Sequence, residues 1–328
     1  MENQILWLSR KEVESLLDMK GTIKVVEEAF RQHGLKKVQM PPKLYLYFKK
    51  HNGDLRTMPA FLEEQDITGV KIVNVHPDNP KKGLPTVMAL VVLNSTVTGA
   101  PLAIMDGTYL TDMRTGAAGG VAVKYLARKN SKTVGFVGTG NQARSQLLAI
   151  SEIIDIHEIK ATSTSEKQTL AFKDDMELKT ECEIVPKRTI KEVCDCDILV
   201  TTTPSRVPIV INDWISDGTH INAIGADAPG KEELDPLILK RAKVVVDDIQ
   251  QASHSGEVNV PISKGLFSVE DIFGEIGEIV TRLKKARTND SDITVFDSTG
   301  LAIQDVVTAN LVYQKALKEK MGIKLQQF

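Results

Sequence analysis

The sequence lacks a long hydrophobic run, a block of like charge and enough cysteines for a disulfide framework. The most apolar run, Thr86–Leu93, is far shorter than the ~20 residues that a membrane-spanning helix needs. A formal net charge of −2 over 328 residues does not favour nucleic-acid binding. The first residues carry neither a basic segment nor a long apolar core, so we predict no signal peptide. We therefore expect a cytoplasmic protein with no nucleic-acid or membrane partner.

The three cysteines are Cys182, Cys194 and Cys196. Their odd number and close spacing argue against disulfides and are typical of a reducing compartment. Cys194 and Cys196 could form half of a metal site or could be thiols of a core-facing segment. Because no second Cys/His pair lies at zinc-finger spacing, we predict no metal site.

The length suggests two domains. The first part begins with two helical patterns, one capped by Ser9 and Glu12 and one ending near Gly34. Strand patterns then follow at Lys43–Phe48, Arg56–Phe61, Gly69–Val75, Thr86–Leu93 and Pro101–Met105. Helices followed by consecutive strands predict an α+β unit with a mostly antiparallel or mixed sheet.

After Lys132 the pattern changes to strands that alternate with helices. The predicted strands lie near residues 134–138, 158–163, 182–186, 197–202, 219–224 and 243–247. Such alternation is typical of a parallel, doubly wound α/β sheet. A further strand and polar turn occupy residues 293–300, and a helical pattern from Leu301 to about Lys320 is long enough to return to the first unit.

A glycine turn follows the first of these strands, in the sequence Gly138-Thr-Gly140-Asn-Gln-Ala143. Gly138 permits the tight turn, Gly140 lets a pyrophosphate approach the backbone, and Ala143 allows close packing of helix on strand. The helix start offers unpaired N–H groups to an anion. Together with the six strands, this turn predicts a dinucleotide site.

The next strand lacks the acid that usually holds the ribose 2′-hydroxyl about 20 residues beyond the glycines. Thr162 and Ser163 stand at its end, and Lys167 lies close downstream. Without that acid a 2′-phosphate is not repelled. We predict that NADP is tolerated or preferred, and the choice between NAD and NADP stays open.

The segment Arg114–Gly120 is predicted to open the helix that precedes the glycine turn. Its glycines favour either close helix packing or an anion site, with Arg114 and the Thr115 hydroxyl beside a helix N-terminus.

Several motifs occur together along nearly the whole chain: Pro41-Pro-Lys43, Gly53-Asp-Leu-Arg-Thr-Met-Pro59, Lys71, Lys82-Gly-Leu-Pro-Thr86, Arg114–Gly120, Gly138–Ala143, Ile224–Asp227 with Pro229-Gly-Lys231, and Phe296–Asp305. In this combination the chain resembles the ornithine cyclodeaminase/mu-crystallin family, and within it the archaeal alanine dehydrogenases most. The resemblance implies a homodimer. It also implies a substrate-binding and dimerisation domain of residues 1–115 and 301–328, into which a Rossmann domain of residues 116–300 is inserted.

Chemistry on a 2-oxo acid requires a cation for the carboxylate, an acid/base at C2 and a hydride carrier. Lys43 and Arg56 lie on neighbouring predicted strands and could supply the cations. Arg114 could bind either the substrate carboxylate or a cofactor phosphate. The cofactor-binding residues expected from the turns and the resemblance, besides Arg114, are Thr115, Gly138, Gly140, Asn141, Gln142, Ser163, Thr202, Gly225, Asp227, Asp297, Ser298, Thr299 and Gly300.

Lys71 interrupts an otherwise apolar strand. Such a lysine either extends its amine to solvent at a sheet edge or is buried with a lowered pKa and acts as acid/base. Asp227 lies in a tight turn, where aspartate often caps the backbone. The resemblance implies that Lys71 and Asp227 are catalytic.

Arg56 stands where we align an acid in ornithine cyclodeaminases, and a cation there would repel a distal amine. We therefore expect an alanine dehydrogenase that joins pyruvate, ammonia and NAD(P)H to give L-alanine. The alternatives are an ornithine cyclodeaminase, an imine or ketimine reductase, and a non-catalytic, NADPH-binding protein like mu-crystallin.

Overall fold

The computed structural model describes residues 4–326. The helices are α1 (Arg10–Leu16), α2 (Met19–Gly34), α3 (Thr108–Leu126), α4 (Asn141–Ser151), α5 (Glu166–Thr180), α6 (Ile190–Cys194), α7 (Pro236–Arg241), α8 (Ile249–Ser255), α9 (Asn259–Ser263), α10 (Ile276–Val280) and α11 (Ala302–Glu319). The strands are β1 (Gln4–Leu8), β2 (Val38–Gln39), β3 (Leu44–Phe48), β4 (Gly53–Leu62), β5 (Ile67–Val75), β6 (Val87–Asn94), β7 (Pro101–Asp106), β8 (Thr133–Val137), β9 (Glu158–Thr162), β10 (Ile184–Pro186), β11 (Ile198–Thr201), β12 (Arg206–Val210), β13 (His220–Ala223), β14 (Glu232–Leu234), β15 (Lys243–Val246), β16 (Gly274–Glu275), β17 (Thr294–Asp297) and β18 (Ile323–Gln326).

The chain forms two compact units. Unit 1 contains the residues up to Arg114 and those from Leu301 onward, and unit 2 contains Thr115–Gly300. The boundaries suggested by the sequence lie after residues 115 and 300. Within residues 4–326, no helix has the length and apolar character needed to cross a bilayer.

Unit 1 is built on a mixed sheet in the order β18-β1-β7-β6-β5-β4-β2, with β3 also paired to β4. Strands β4 to β7 pair antiparallel with their neighbours in sequence, whereas β1 pairs parallel with β7. Each strand pattern predicted for this unit falls within or beside one of β3 to β7. No sequence pattern marked β1, β2 or β18, and the exposed residues of β18 lack the alternation that is typical of a half-buried strand.

Alternation along β4 and β5 decides which side chains face the helices. Buried residues recur at every second position of both strands, among them Arg56, Met58, Lys71 and Val73. In the antiparallel register Arg56 lies opposite Val73, and Met58 lies opposite Lys71. Because α11 packs against β4 and β5, the Arg56 and Lys71 side chains share the helix-covered face of the sheet.

The opposite face of this sheet carries apolar side chains that are only partly buried. Leu46 lies opposite Leu55, and Ile72 lies opposite Leu90, which is 42% exposed. We call the positions Leu46, Leu55, Ile72, Leu90 and Ile104 the outer face.

Unit 2 contains a parallel sheet in the order β10-β9-β8-β11-β13-β17-β15-β16. Two apolar clusters cover its two faces. Along β11, Leu199 belongs to one cluster, whereas Ile198 and Val200 belong to the other. The predicted doubly wound α/β fold is confirmed, and each predicted strand of this part corresponds to a strand of the sheet.

Helix α3 differs from the prediction at its start. It begins at Thr108, where the Asp106 carboxylate accepts the backbone N–H groups of Thr108 and Tyr109 at 3.2 and 3.1 Å. Arg114 therefore lies in the second turn of the helix, and Thr115 begins the third. The predicted start of the helix at Arg114 is wrong, and the anion site that was one of two alternatives there would not lie at a helix N-terminus, because the helix has already formed its internal hydrogen bonds.

The glycines of α3 instead allow close packing within unit 2. A Cβ atom on Gly119 would lie 1.9 Å from the Gln146 Oε1 atom. The Gln146 amide donates to the Thr115 carbonyl at 2.8 Å and accepts from the Asn222 side chain at 3.1 Å. A glycine at position 119 is what leaves room for this buried amide.

We predict that Gly119→Ala destabilises the protein by about 1–3 kcal/mol, because the added methyl group displaces Gln146 from two buried hydrogen bonds. Urea unfolding measures the free energy of unfolding. In a Gln146→Ala background the same substitution should cost much less. A gain in stability, as helix propensity alone predicts, would contradict this interpretation.

Candidate functional site

A buried ion cluster in unit 1 is centred on Asp305. Its Oδ1 atom accepts from the Lys71 Nζ at 2.8 Å and from the Arg114 Nε at 2.9 Å. The Arg114 guanidinium also donates to Gln304 Oε1 at 2.9 Å. Lys71 is 1% exposed and Asp305 is 0% exposed. We call Lys71, Arg114 and Asp305 the Asp305 cluster.

Three elements far apart in sequence bring this cluster together. Lys71 lies on the helix-covered face of β5, Arg114 lies in the second turn of α3, and Asp305 lies in the first turn of α11. Because α11 packs against β5, its first turn carries the carboxylate to the lysine. Gln304 also accepts the Leu301 backbone N–H at 3.1 Å, and this contact orders the start of α11.

Within the cluster two cations share one carboxylate. Asp112, a second carboxylate whose charge acts on Arg114 and Lys71, has a pKa that burial raises to about 6, so it compensates them less than an ordinary carboxylate would. The cluster therefore has a surplus of positive charge. Burial, the largest cause, and the positive charge of Arg114 together lower the Lys71 pKa to about 7, against the opposing effect of Asp305. The charge of Lys43 acts in the same direction as that of Arg114. An amine with a pKa near neutrality can both donate and accept a proton. The surplus charge favours a bound carboxylate.

Arg56 has a carboxylate partner of its own. Its Nε and a terminal nitrogen donate to the two oxygens of Asp54 at 2.8 and 3.2 Å, and its guanidinium carbon lies 5.3 Å from the centre of the Tyr45 ring. Asp54 therefore offsets most of the charge of Arg56. Two of the predicted substrate-binding cations thus differ in their surroundings: Arg114 shares Asp305 with Lys71, whereas Arg56 pairs with Asp54.

The glycine turn of unit 2 joins β8 to α4. Gly138 has a φ of +95°, and a Cβ atom there would lie 2.8 Å from Thr202 Oγ1. Gly140 is the N-cap of α4, which begins with Asn141 and Gln142. A Cβ atom on Gly140 would meet nothing within 4 Å, so the missing side chain leaves open space beside the first N–H groups of the helix. This arrangement fits a pyrophosphate group.

A cavity of about 530 Å³ extends from this turn. Gly138, Gly140, Ser163 and Thr202 line it. Its other lining residues are Val137, Thr139, Thr162, Thr164, Gln168, Arg188, Ile190, Thr203, Pro204, Ser205 and Ile209. The Ser163 hydroxyl donates to the Ser165 carbonyl at 2.9 Å and so orders the turn after β9.

The turn after β13 carries Gly225 and Asp227. A buried carboxylate, Glu233, accepts the backbone N–H of Gly225 at 2.9 Å and that of Thr203 at 2.7 Å. It therefore joins the loops that follow two neighbouring strands. The Asp227 side chain is 39% exposed, and its Oδ1 lies 2.5 Å from the Lys231 Nζ.

The turn after β17 contains Ser298, Thr299 and Gly300. The buried Asp247 carboxylate accepts the backbone N–H groups of Thr299 and Gly300, each at 2.7 Å. Asp297, the last residue of β17, accepts the Val258 N–H at 3.2 Å, and burial raises its pKa to about 8. Within the described residues, its Oδ2 atom accepts this hydrogen bond, whereas its buried Oδ1 atom accepts none.

Three acidic residues were not singled out from the sequence: Asp305, Glu233 and Asp247. Asp305 closed the last motif of the resemblance, but an acid in the first turn of a helix is common for local electrostatic reasons. Glu233 and Asp247 accept backbone N–H groups of loops at the carboxyl ends of strands, and no local pattern marks that role. The only available signal was an acid inside or directly after an apolar segment.

Residues 3–320 match the sequence model of the ornithine cyclodeaminase/mu-crystallin family. The chain is similar to alanine dehydrogenase of Archaeoglobus fulgidus, with 55% identity over 325 residues and 99% of each chain covered.

Two solved structures are similar over nearly the whole chain. One is an archaeal alanine dehydrogenase dimer with bound NAD, with a TM-score of 0.96, 54% identity and coverage of 99% of this chain and 100% of that one. The other is Thermococcus litoralis Δ(1)-pyrroline-2-carboxylate reductase in complex with NADH and L-proline. It has a TM-score of 0.95, 41% identity and coverage of 98% of this chain and 100% of that one.

We predict that Lys71→Met raises the free energy of unfolding most at pH 7 and below, and less as the pH approaches 10.5. Because the Lys71 pKa is lowered in the folded protein, the unfolded chain binds more protons in this window, and wild-type stability rises with pH across it. Urea unfolding of both proteins at several pH values measures the difference. A difference independent of pH would show that Lys71 keeps an ordinary pKa.

Proposed function

This chain belongs to the ornithine cyclodeaminase/mu-crystallin family, and we propose that it is an alanine dehydrogenase. The enzyme is an NAD(P)-dependent oxidoreductase. In the proposed reaction pyruvate, ammonium, a proton and NAD(P)H give L-alanine, water and NAD(P)⁺, reversibly. The observation that carries the proposal is the Asp305 cluster, in which a lysine that titrates near neutrality lies beside surplus positive charge.

The substrate carboxylate is the group that this charge favours. Arg114 offers a planar guanidinium fixed by Asp305 and Gln304, and it is the first candidate to bind the carboxylate. Lys43, whose charge acts on Lys71, assists. Arg56 is a weaker attractor because Asp54 already neutralises it. A bound carboxylate also favours the protonated form of Lys71.

Lys71 moves the proton at C2. In the direction of alanine synthesis its ammonium group protonates the oxygen that leaves C2 as water. In the reverse direction the neutral amine accepts a proton as water adds. Asp227 is proposed to orient and deprotonate the water or ammonia that reacts at the same carbon.

The nicotinamide cofactor supplies or accepts the hydride at C2. Its pyrophosphate is proposed to bind the Gly138–Gly140 turn and the first N–H groups of α4. The remaining cofactor residues that we propose are Thr115, Asn141, Gln142, Ser163, Thr202, Gly225, Asp227, Asp297, Ser298, Thr299 and Gly300.

A second candidate is reduction of a cyclic imine such as Δ1-pyrroline-2-carboxylate. The similarity to the reductase solved with NADH and L-proline favours it. The same cluster suits this reaction, because the substrate again places a carboxylate beside the carbon that receives hydride. Dependence on ammonium separates the two, since only formation of alanine requires it.

The outer face of unit 1 supports a homodimer. Its apolar side chains lie on one side of a sheet whose other side is covered by helices. Exposure of such an apolar face to water is unfavourable, so a partner that buries it stabilises the protein. We propose that a second copy of the chain covers the outer face, in agreement with the dimer of the archaeal alanine dehydrogenase.

We predict that the purified enzyme consumes NADH or NADPH and forms L-alanine when pyruvate and ammonium are both present. Nicotinamide absorbance measures the consumption of the cofactor, and amino-acid chromatography measures the alanine. Lys71→Met should lower kcat by about 10²- to 10⁴-fold, since the proton donor is lost, while the dissociation constant of the reduced cofactor changes little.

The matched control is Lys24→Met, which removes an exposed lysine of α2 and should leave turnover unchanged. Absence of alanine formation with either cofactor would reject the assignment. Turnover of a cyclic imine without ammonium would instead support the second candidate.

We predict that Leu90→Glu shifts the protein from dimer towards monomer, because a carboxylate in the covered outer face would lose its hydration. Light scattering after size exclusion compares the mass with the 36.1 kDa of one chain. Leu178→Glu, at an 86% exposed position of α5, serves as control and should remain dimeric. An unchanged dimer with Leu90→Glu would remove the outer face from the interface.

A further inference from the structure

Arg188 lies at the cavity that begins at the glycine turn, and no step above uses it. Its side chain is exposed and lines the same cavity as Gly138 and Gly140. Among residues 4–326, its guanidinium forms no ion pair. A cation in this position is available to a ligand.

The sheet places Arg188 beside the end of β9. Strand β10 pairs parallel with β9, with Pro186 opposite Ala161, and the Lys187 backbone N–H donates to the Ala161 carbonyl at 2.8 Å. Arg188 is the next residue. It therefore lies beside the turn that follows β9, where a doubly wound fold holds the ribose of the adenosine half of a dinucleotide.

The groups around Arg188 suit an additional phosphate. Thr164 and Gln168 line the cavity with a hydroxyl and an amide, and the cavity has no Asp or Glu among its lining residues within the described chain. A carboxylate at the end of the second strand would bind the ribose hydroxyl of NAD and repel a phosphate, whereas an arginine attracts it. The apolar Ile190 and Ile209 in the same cavity suit an adenine ring.

We propose that Arg188, with Thr164 and Gln168, forms a subsite for the 2′-phosphate of NADP(H), so that the enzyme uses NADPH in preference to NADH. The proposal rests on the proposed function only in that the cofactor is a nicotinamide dinucleotide. A phosphate monoester carries a charge of about −1.5 to −2 at pH 7, so one guanidinium at this position discriminates strongly between the two cofactors.

Fluorescence titration of the full-length protein with NADPH and with NADH tests the subsite without depending on turnover. The wild type should bind NADPH more tightly than NADH. Arg188→Ala should weaken binding of NADPH by about 10- to 100-fold, the effect of losing a charge-assisted bond to phosphate, and change binding of NADH by less than about threefold. Arg188→Glu should reverse the preference.

Lys191→Ala is the matched control. It removes one positive charge from an exposed position of α6, three residues from Arg188 and outside the cavity lining, and should change neither affinity. Tighter binding of NADH by the wild type would overturn the proposal, as would an equal loss of both affinities with Arg188→Ala. If pyruvate and ammonium give no turnover with either cofactor, the alanine assignment fails, but the binding preference still decides the role of Arg188.

Discussion

One carboxylate shared between two cations is the interaction on which unit 1 depends. Asp305 holds Lys71 and Arg114 on a single oxygen, and all three charges are buried. Loss of the carboxylate would leave two cations without compensation in a region of low polarity, which is strongly unfavourable. The contact therefore ties β5, α3 and α11 together. It also leaves the surplus charge and the weakly basic amine that the proposed chemistry uses.

Unit 2 uses buried carboxylates differently. Glu233 and Asp247 accept backbone N–H groups from the loops after β11, β13 and β17. Each carboxylate satisfies two donors that a loop cannot pair within itself. The loops are thus held from inside the protein, and the Thr299 hydroxyl, which also donates to Asp247 at 2.9 Å, is held with them. The carboxylates that accept these backbone N–H groups are different residues from the side chains that the turns expose.

The sequence predicted much of the fold because periodicity is a local property. The alternation of β4 to β7, the glycine turn after β8 and the strand–helix order of unit 2 all follow from spacing along the chain. The start of α3 could not be placed in the same way. Its Arg114–Gly120 segment looks like a helix opening, but the cap is Asp106, and the glycines serve packing against Gln146.

The sequence by itself determined that Lys71 interrupts an apolar strand, that Gly138 and Gly140 follow another strand, and that no acid ends the strand after them. Only the tertiary structure decided that Lys71 meets Asp305, 234 residues away, and that Arg188 lies beside the end of β9. The pKa of Lys71 depends on burial and on charges from distant elements, and the environment of Arg188 depends on strand order. Short-range patterns fix neither, because electrostatic interactions act through space between residues that folding alone brings together.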